Sequence, residues 1–419
     1  MNAKCCKDVE NKNPLFKYFK SKESSKDIKK DDNKYTNNSN NNQNIKKEKI
    51  EPQKNNDNES KNSKNSKKDN SQNKYMEINT LNKLLEDYCK EFYEKFELEE
   101  IIKAGSAGAV YRGMLRNKQN SKQIAFKFLF DNFRENKEKS NKNKTKNEAN
   151  KHLEISIHGM LKHKNIPEIY GYYKIVDSSC IAMEFDKYGD IENFKRKILK
   201  RSSLSESLVL YIAGGIIEAV NYIHTKKKII HMDIKQQNIL IDEFLMIKLT
   251  DFSVSVNYKS AKDYINLPMV GTCYYMSPEV LNRKRISVAE ASKIDIYSFG
   301  VLLYYLAFGY YPYNLNEVKN KEYSKIAKNI EENELKFPEE DTGHSKMFVN
   351  FIKNCLNKDI KKRYNIYKAM NDPWLKGYQI ILNEKEKLYN ANKFIVDLMV
   401  DNLINFNKYY EDEKRKENF

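Results

Sequence analysis

The chain predicts an α+β fold, with strands gathered in its N-terminal part and helices in a larger C-terminal part. Three observations carry this. Phe96 to Ile102 alternates apolar and charged residues as a half-buried strand does, and Ile124-Ala125-Phe126-Lys127-Phe128 and Cys180-Ile181-Ala182-Met183 are short apolar runs of strand type. Ser207 to His224 has the apolar spacing of an amphipathic helix. A polar loop, His231 to Asn238, is framed by strand-like Ile229-Ile230 and Ile239-Leu240-Ile241. At 419 residues the chain is long enough for one large two-lobed domain plus tails.

The net charge of +17 is unevenly spread. Residues 1–75 carry 19 lysines against 11 acids, a net +8, and Arg134 to Lys151 carries 7 bases against 3 acids, a net +4. Both stretches are Asn/Lys-rich and apolar-poor, so solvated, disordered chain is expected there. Outside Phe16–Phe19 aromatics are sparse among these lysines and Arg134 is the one arginine, so no specific nucleic-acid partner is expected. Cysteines 5, 6, 89, 180, 273 and 355 form no C-x-x-C, which fits a reducing compartment without disulfides or zinc. The N-terminus has no apolar core of a signal peptide, and Asn2 stands where myristoylation needs glycine. The apolar runs near Tyr211–Ile223 and Val301–Tyr313 are too short or interrupted to span a bilayer. The expected location is cytoplasmic, with the nucleus left open.

In chain order, residues 1–75 read as the tail, with a small apolar island at Pro14-Leu15-Phe16-Lys17-Tyr18-Phe19. Apolar residues from Ile78 through Phe92 recur at helical spacing and predict a helical extension over 76–95, its helix ending near Tyr93. The main domain follows over 96–377, interrupted by the basic insertion 134–147. A helical extension over 378–419 presents one apolar stripe, which needs a covering surface, either the main domain itself or a partner.

Two short stretches carry the chemistry. His231-Met232-Asp233-Ile234-Lys235-Gln236-Gln237-Asn238 holds a carboxylate, a cation and an amide at fixed separations. Phosphoryl transfer needs such a set: a carboxylate to orient and deprotonate the attacking hydroxyl, a cation at the moving phosphoryl group, an amide oxygen at a metal. Asp251-Phe252-Ser253 follows another apolar run. Together they resemble the catalytic and metal-binding loops of the eukaryotic protein kinases. Further motifs agree in order. Lys103-Ala104-Gly105-Ser106-Ala107-Gly108-Ala109-Val110-Tyr111 resembles the glycine-rich phosphate loop. Gly271-Thr272-Cys273-Tyr274-Tyr275-Met276-Ser277-Pro278-Glu279 resembles the end of the activation segment. Asp295-Ile296-Tyr297-Ser298-Phe299-Gly300, Asp359-Ile360-Lys361-Lys362-Arg363 and Asp372-Pro373-Trp374 resemble the closing motifs.

The resemblance implies the bilobal protein kinase fold, a small β-rich N-lobe and a larger α-helical C-lobe, using ATP and Mg2+ on protein serine and threonine. It implies that Lys127 grips the α- and β-phosphates and pairs with a helix glutamate, Glu154, with Glu148 as the alternative. A lysine in an apolar strand is costly unless its charge is paired. Asp233 is then the base, Lys235 a phosphate contact, and Asn238 and Asp251 the metal ligands. Gly105 and Gly108 let the backbone approach the phosphates. Val110, Ala125 and Leu240 sandwich the adenine, Met183 guards the back of the pocket, Glu184 and Asp186 offer backbone groups to the base, and Asp190 takes the ribose side. The resemblance also pairs Glu279 with Arg363 and sets Asp295 on the catalytic loop's backbone. His158, four residues past Glu154, stands where the family keeps an apolar packing residue, and is read as buried and hydrogen-bonded.

The sequence departs from the family at Lys103, where a glycine is usual, at Ala107 in place of an aromatic, at Met232 in place of arginine, and at Ser253 in place of glycine. None removes a catalytic group. An active kinase is therefore the leading expectation, and a pseudokinase acting as scaffold or allosteric partner the alternative. A small-molecule or lipid kinase is disfavoured by the protein-substrate motifs after Gly271. Gln236 and Gln237 stand where many basic-directed kinases carry an acid, so a strong arginine requirement is not expected.

Overall fold

Alternation along short strands builds the N-terminal sheet. In this computed structural model, which describes residues 78, 81–83, 85–87, 89–105, 108–116, 122–129, 154–175, 178–313, 322–338 and 343–378, five strands lie in the order β1-β2-β3-β5-β4. They are β1 (Phe96–Gly105), β2 (Gly108–Leu115), β3 (Ile124–Leu129), β4 (Ile169–Ile175) and β5 (Ser178–Glu184). The expected tail over 1–75 with its apolar island, the insertion over 134–147, Glu148 and the extension beyond 378 lie outside the described residues.

The chain forms two units, residues 1–100 and 101–419. In the first, Ile78, Leu81, Leu85, Phe92, Phe96 and Leu98 are buried. The Asn82 amide bonds both backbone groups of Leu98. Helical residues over 81–87 do not run straight on to Tyr93. Cys89 leaves the helical region of backbone space, and a separate helix α1 (Lys90–Lys95) follows.

In the second unit, β3 is buried at every position except Lys127. Its antiparallel neighbours set Val110 and Ile181 opposite Lys127, and Met183 opposite Ala125. Residues 154–159 form a helix, α2, that carries Glu154 and His158. The helical part is built on α3 (Glu206–Asn221) and α4 (Lys293–Phe308), both buried around almost their whole circumference. Helices apolar all round belong in a core. A π-helical turn extends α3 to Lys227, giving 22 residues apolar enough to cross a membrane, although the run Tyr211–Ile223 alone is short. Because 72% of its most apolar window is buried inside the fold, it is a core helix here. Strands β6 (Gly189–Asp190), β8 (Ile239–Ile241) and β9 (Ile247–Leu249) form a second small sheet, and β7 (Ile229–Ile230) pairs with β10 (Val256–Asn257).

One ion pair closes the helical part. Arg363 donates to Glu279 through Nη1 at 2.6 Å and Nη2 at 3.0 Å, and its remaining donors reach the carbonyls of Asn357 and Lys293. Arg363 is 1% exposed and Glu279 5%. A buried pair of this kind is costly to break from one side, because the other charge stays buried. Glu279→Ala is expected to lower unfolding stability by about 3–5 kcal/mol. Urea unfolding of the two proteins checks this, and equal stabilities would contradict it.

Candidate active site

The loop between β7 and β8 is held from below by one carboxylate. Asp295, fully buried at the start of α4, accepts from His231 N–H at 2.7 Å, Met232 N–H at 2.9 Å and His224 Nε2–H at 2.7 Å. Burial would push its carboxyl up, and these donors outweigh that and hold it below the ordinary range. The loop needs such an anchor, since Met232 has φ +71, a costly conformation for a non-glycine residue. From above, the activation segment arrives with Gly271 at φ +96. A Cβ there would meet the Met232 carbonyl at 2.6 Å, so only glycine fits.

Within this frame the candidate groups converge. Asp233 accepts from Thr272 N–H at 2.9 Å on Oδ1, and from Asn238 Nδ2 at 3.0 Å on Oδ2. Lys235 Nζ lies 2.7 Å from Asp233 Oδ2 and donates to Thr272 Oγ1 at 2.8 Å. Asn238 also donates to the Asp233 carbonyl at 2.9 Å, which fixes its amide with the oxygen turned away from that bond. Across the cleft, Lys127 Nζ reaches Glu154 Oε1 at 2.5 Å and Asp251 Oδ1 at 2.9 Å. Burial acts against the Lys127 ammonium, but the Asp251 and Glu154 carboxylates outweigh it and raise its pKa well above the usual lysine value. Asp251 is half-buried; burial works against its charge, and Lys127 with the Ser253 hydroxyl outweighs that and holds it well below the carboxylate range. Asp251 sits at φ +68, a second strained position.

Three rings tie the two halves together. His158 packs on Phe252 at 5.1 Å between centroids, and Phe252 on His231 at 5.0 Å. His231 donates through Nε2–H to the Thr250 carbonyl at 3.0 Å and accepts from Asp233 N–H at 3.3 Å. His158 is 2% exposed and donates to the Pro167 carbonyl at 3.0 Å. Burial lowers its pKa to about 4. Helix α2 is also tied to β9, since Asn165, in the segment that follows it, donates to the Ile247 carbonyl and accepts from Leu249 N–H.

Of the residues expected to face a nucleotide, Val110, Ala125 and Met183 lie on the inner strands β2, β3 and β5, and Leu240 lies on β8. Ala125 and Met183 are buried and Val110 packs beside them, while Leu240 on β8 is half-buried. Gly105 ends β1 and Gly108 opens β2, while the tip Ser106-Ala107 lies outside the described residues. Asp190 spends one carboxylate oxygen on the Asn193 N–H at 2.8 Å. Two features here have no signal in the sequence. Lys248, opposite Leu240, pairs with Glu184 at 2.7 Å and lies 3.8 Å from Asp242. Asp186 was expected to matter through its backbone. Its carboxyl is buried with neither oxygen hydrogen-bonded, and burial beside Glu184 pushes its pKa up to about 8. Linkages His224 to Asp295 and Tyr275 to Gln236 were also absent from the sequence reading, since nothing in residue spacing marks them.

A lysine clasped by two carboxylates, and a loop aspartate bonded to an asparagine, are the groups that the kinase resemblance implies. The model of the protein kinase domain matches residues 96–375. The chain belongs to the protein kinase family. CBL-interacting protein kinase 10 of Oryza sativa subsp. japonica is 28% identical over 284 residues, 68% of this chain and 57% of that protein. An Aurora kinase of Dictyostelium discoideum is 29% identical over 285 residues, 68% of this chain and 67% of that protein. Myosin light chain kinase A of the same organism is 30% identical over 286 residues, 67% of this chain and 88% of that protein. The chain thus spans little more than half the length of the rice protein.

The buried His158 makes stability depend on pH. Its folded pKa of about 4 lies below the ordinary 6.5, so the unfolded chain takes up the proton first. The site's contribution is full above about pH 6.5 and is lost as pH falls toward 4. Lys127 and His231 oppose protonation there and Asp251 favours it. His158→Leu is expected to be relatively more stable in acid, gaining ~3 kcal/mol on the wild type between pH 7 and 4. Denaturant unfolding of both proteins across that range measures this. A difference that does not change with pH would contradict it.

Proposed function

We propose that the chain is an active serine/threonine protein kinase that transfers the γ-phosphoryl group of ATP to protein hydroxyls. The observation that carries this reading is Lys127, held at once by Glu154 and Asp251 while Asp233 and Asn238 stand across the cleft in one hydrogen-bonded unit. None of the family departures removes one of these groups. Met232 lends the loop its backbone, Ser253 bonds Asp251, and Lys103 is exposed on β1.

In this reading Val110, Ala125 and Leu240 enclose the adenine and the backbone of Glu184 and Asp186 meets its edge, with Met183 behind. Asp190 serves the ribose, and Gly105, Gly108 and Lys127 hold the phosphates. Asp233 orients the acceptor hydroxyl and takes its proton. Lys235, placed by Thr272 and Asp233, offers a positive charge beside the transferring group. Asn238 and Asp251 present only oxygen to a cation, which suits Mg2+ held by few protein ligands together with phosphate oxygens. Bound there, the metal would neutralise phosphate charge. We also propose a cytoplasmic location, on six cysteines whose spacing includes no C-x-x-C.

The same reading extends to control. Kinases with an arginine before the catalytic aspartate commonly use an activation-segment phosphate to neutralise it. Here Met232 is buried among Cys273, Met276, Val280 and Leu281, with Val254, Val256, Leu267 and Met269 packed alongside. Burial of apolar surface orders this segment, and no counter-charge is required. A short strand, β11 (Tyr264–Ile265), pairs with β12 (Ile286–Ser287) and straps the segment further.

The test is phosphotransfer from ATP·Mg2+ to a generic protein substrate by purified chain treated with phosphatase. Mass spectrometry confirms that residues 251–279 carry no phosphate. Turnover within a few-fold of the untreated enzyme is expected, with near-complete loss in Asp233→Asn and in Lys127→Met. Both variants should keep the wild-type fold by circular dichroism. ATP binding with no transfer above the Asp233→Asn background would favour a pseudokinase scaffold. A hundredfold fall on phosphatase treatment, about 2.7 kcal/mol in the barrier, would overturn the control mechanism alone.

A further inference from the structure

Between Asp190 and Glu206 the chain carries five bases, Lys195, Arg196, Lys197, Lys200 and Arg201, and one acid, Glu192. The segment is short and rigidly placed. Ile191–Asn193 packs on the Gln236–Asn238 turn of the catalytic loop and leads into the π-helical turn Phe194–Ile198. Backbone bonds from Leu199 to Phe194 and from Arg201 to Lys195 fold the chain back on that turn, and Leu204 is pinned to Leu306.

The acids at this surface are already committed. Asp190 caps the Asn193 N–H. Glu192 lies 3.4 Å from Lys195 Nζ and accepts from the Tyr305 hydroxyl. Glu206 accepts from Ser345 and Trp374 in the interior. Lys195 is itself buried, its ammonium 4.1 Å from the Tyr305 ring centroid. The other four bases are exposed.

A row of rings joins this surface to the chemistry. Arg196 lies within electrostatic reach of Tyr305. Tyr305 stacks on Tyr311 at 5.0 Å, Tyr311 meets Tyr275 edge-on at 5.6 Å, and the Tyr275 hydroxyl donates to Gln236, three residues past Asp233. The catalytic loop offers glutamines, not acids, at 236 and 237. Among the described residues, this segment carries four exposed bases while its acids are already bonded, and complementary charge is a strong source of specificity between partners.

We propose that Arg196, Lys197, Lys200 and Arg201 select protein substrates that carry anionic side chains several residues from the acceptor hydroxyl. This rests on the reading of the chain as an active protein kinase. Carboxylates and phosphate groups share the required chemistry, and arginine forks suit both.

The experiment uses the full chain and serine peptides that are neutral, or carry aspartate, phosphoserine or lysine at each flanking position in turn. Wild type is expected to favour an anionic peptide over the neutral one by about tenfold in kcat/KM, a scale set by several screened charge contacts. In Arg196→Ser/Lys197→Ser/Lys200→Ser/Arg201→Ser that ratio should fall to about twofold or less. The distant exposed pair Lys361→Ser/Lys362→Ser should keep the wild-type ratio. Preference for aspartate and phosphoserine alike assigns acidic substrates. Preference for phosphoserine alone assigns substrates already phosphorylated. A wild type that favours neutral or lysine peptides, or an unchanged ratio in the fourfold variant, overturns the proposal. Fluorescence anisotropy with a labelled polyaspartate-flanked peptide and no nucleotide separates the two readings. If wild type transfers no phosphate, anionic binding lost in the fourfold variant still supports the surface, and binding equal in both proteins overturns it.

Discussion

A buried carboxylate with three donors aimed at it organises the active site. Asp295 sits at the first turn of a core helix and reaches the backbone of His231 and Met232. The polar loop it holds passes through a left-handed residue, and its neighbour Asp233 has no freedom left once Thr272 and Asn238 are bonded. An isolated charge at that depth would be costly. Its three hydrogen bonds satisfy the carboxylate and at the same time fix the loop that carries Asp233, Lys235 and Asn238.

The same economy of contacts runs upward through the molecule. His231 bonds the backbone on both sides and carries Phe252 on its ring, and Phe252 carries His158 on α2. That helix presents Glu154 to Lys127, and Lys127 returns to Asp251, the residue before Phe252. The loop is closed: moving any one member displaces the rest. A histidine in this row adds a titratable ring to a position that otherwise demands only shape, and burial keeps it uncharged at neutral pH.

The kinase resemblance pointed to Lys127, Glu154, Asp233, Asn238 and Asp251, and the structure joins Lys127 to Glu154 and Asp251 and Asp233 to Asn238. Lys127 stood out as a charge in an apolar strand, and the resemblance named Glu279 and Arg363 as partners. Hydrophobic period marked single strands and the helix over Ser207–His224, and the two-lobed α+β order came with the resemblance. What could not be read were contacts between residues distant in sequence with no motif to announce them, such as Lys248 with Glu184 and His224 with Asp295. Asp186 shows the limit from the other side. The resemblance gave Asp186 a role through its backbone, and only the packing around it reveals a buried carboxyl with neither oxygen hydrogen-bonded. The break at Cys89 is of the same kind, since periodicity continued across it and only the backbone turned.

The central claim is that Lys127, Asp233, Asn238 and Asp251 are assembled before any ligand arrives. A crystal structure of the chain with a non-hydrolysable ATP analogue and Mg2+ tests it most directly. The account predicts phosphate density at Lys127, a cation contacting both the Asn238 amide oxygen and the Asp251 carboxylate, and the Asp295 bonds to His231 and Met232 unchanged. A nucleotide bound with the catalytic loop released from Asp295, or a cation held by other residues, would contradict it.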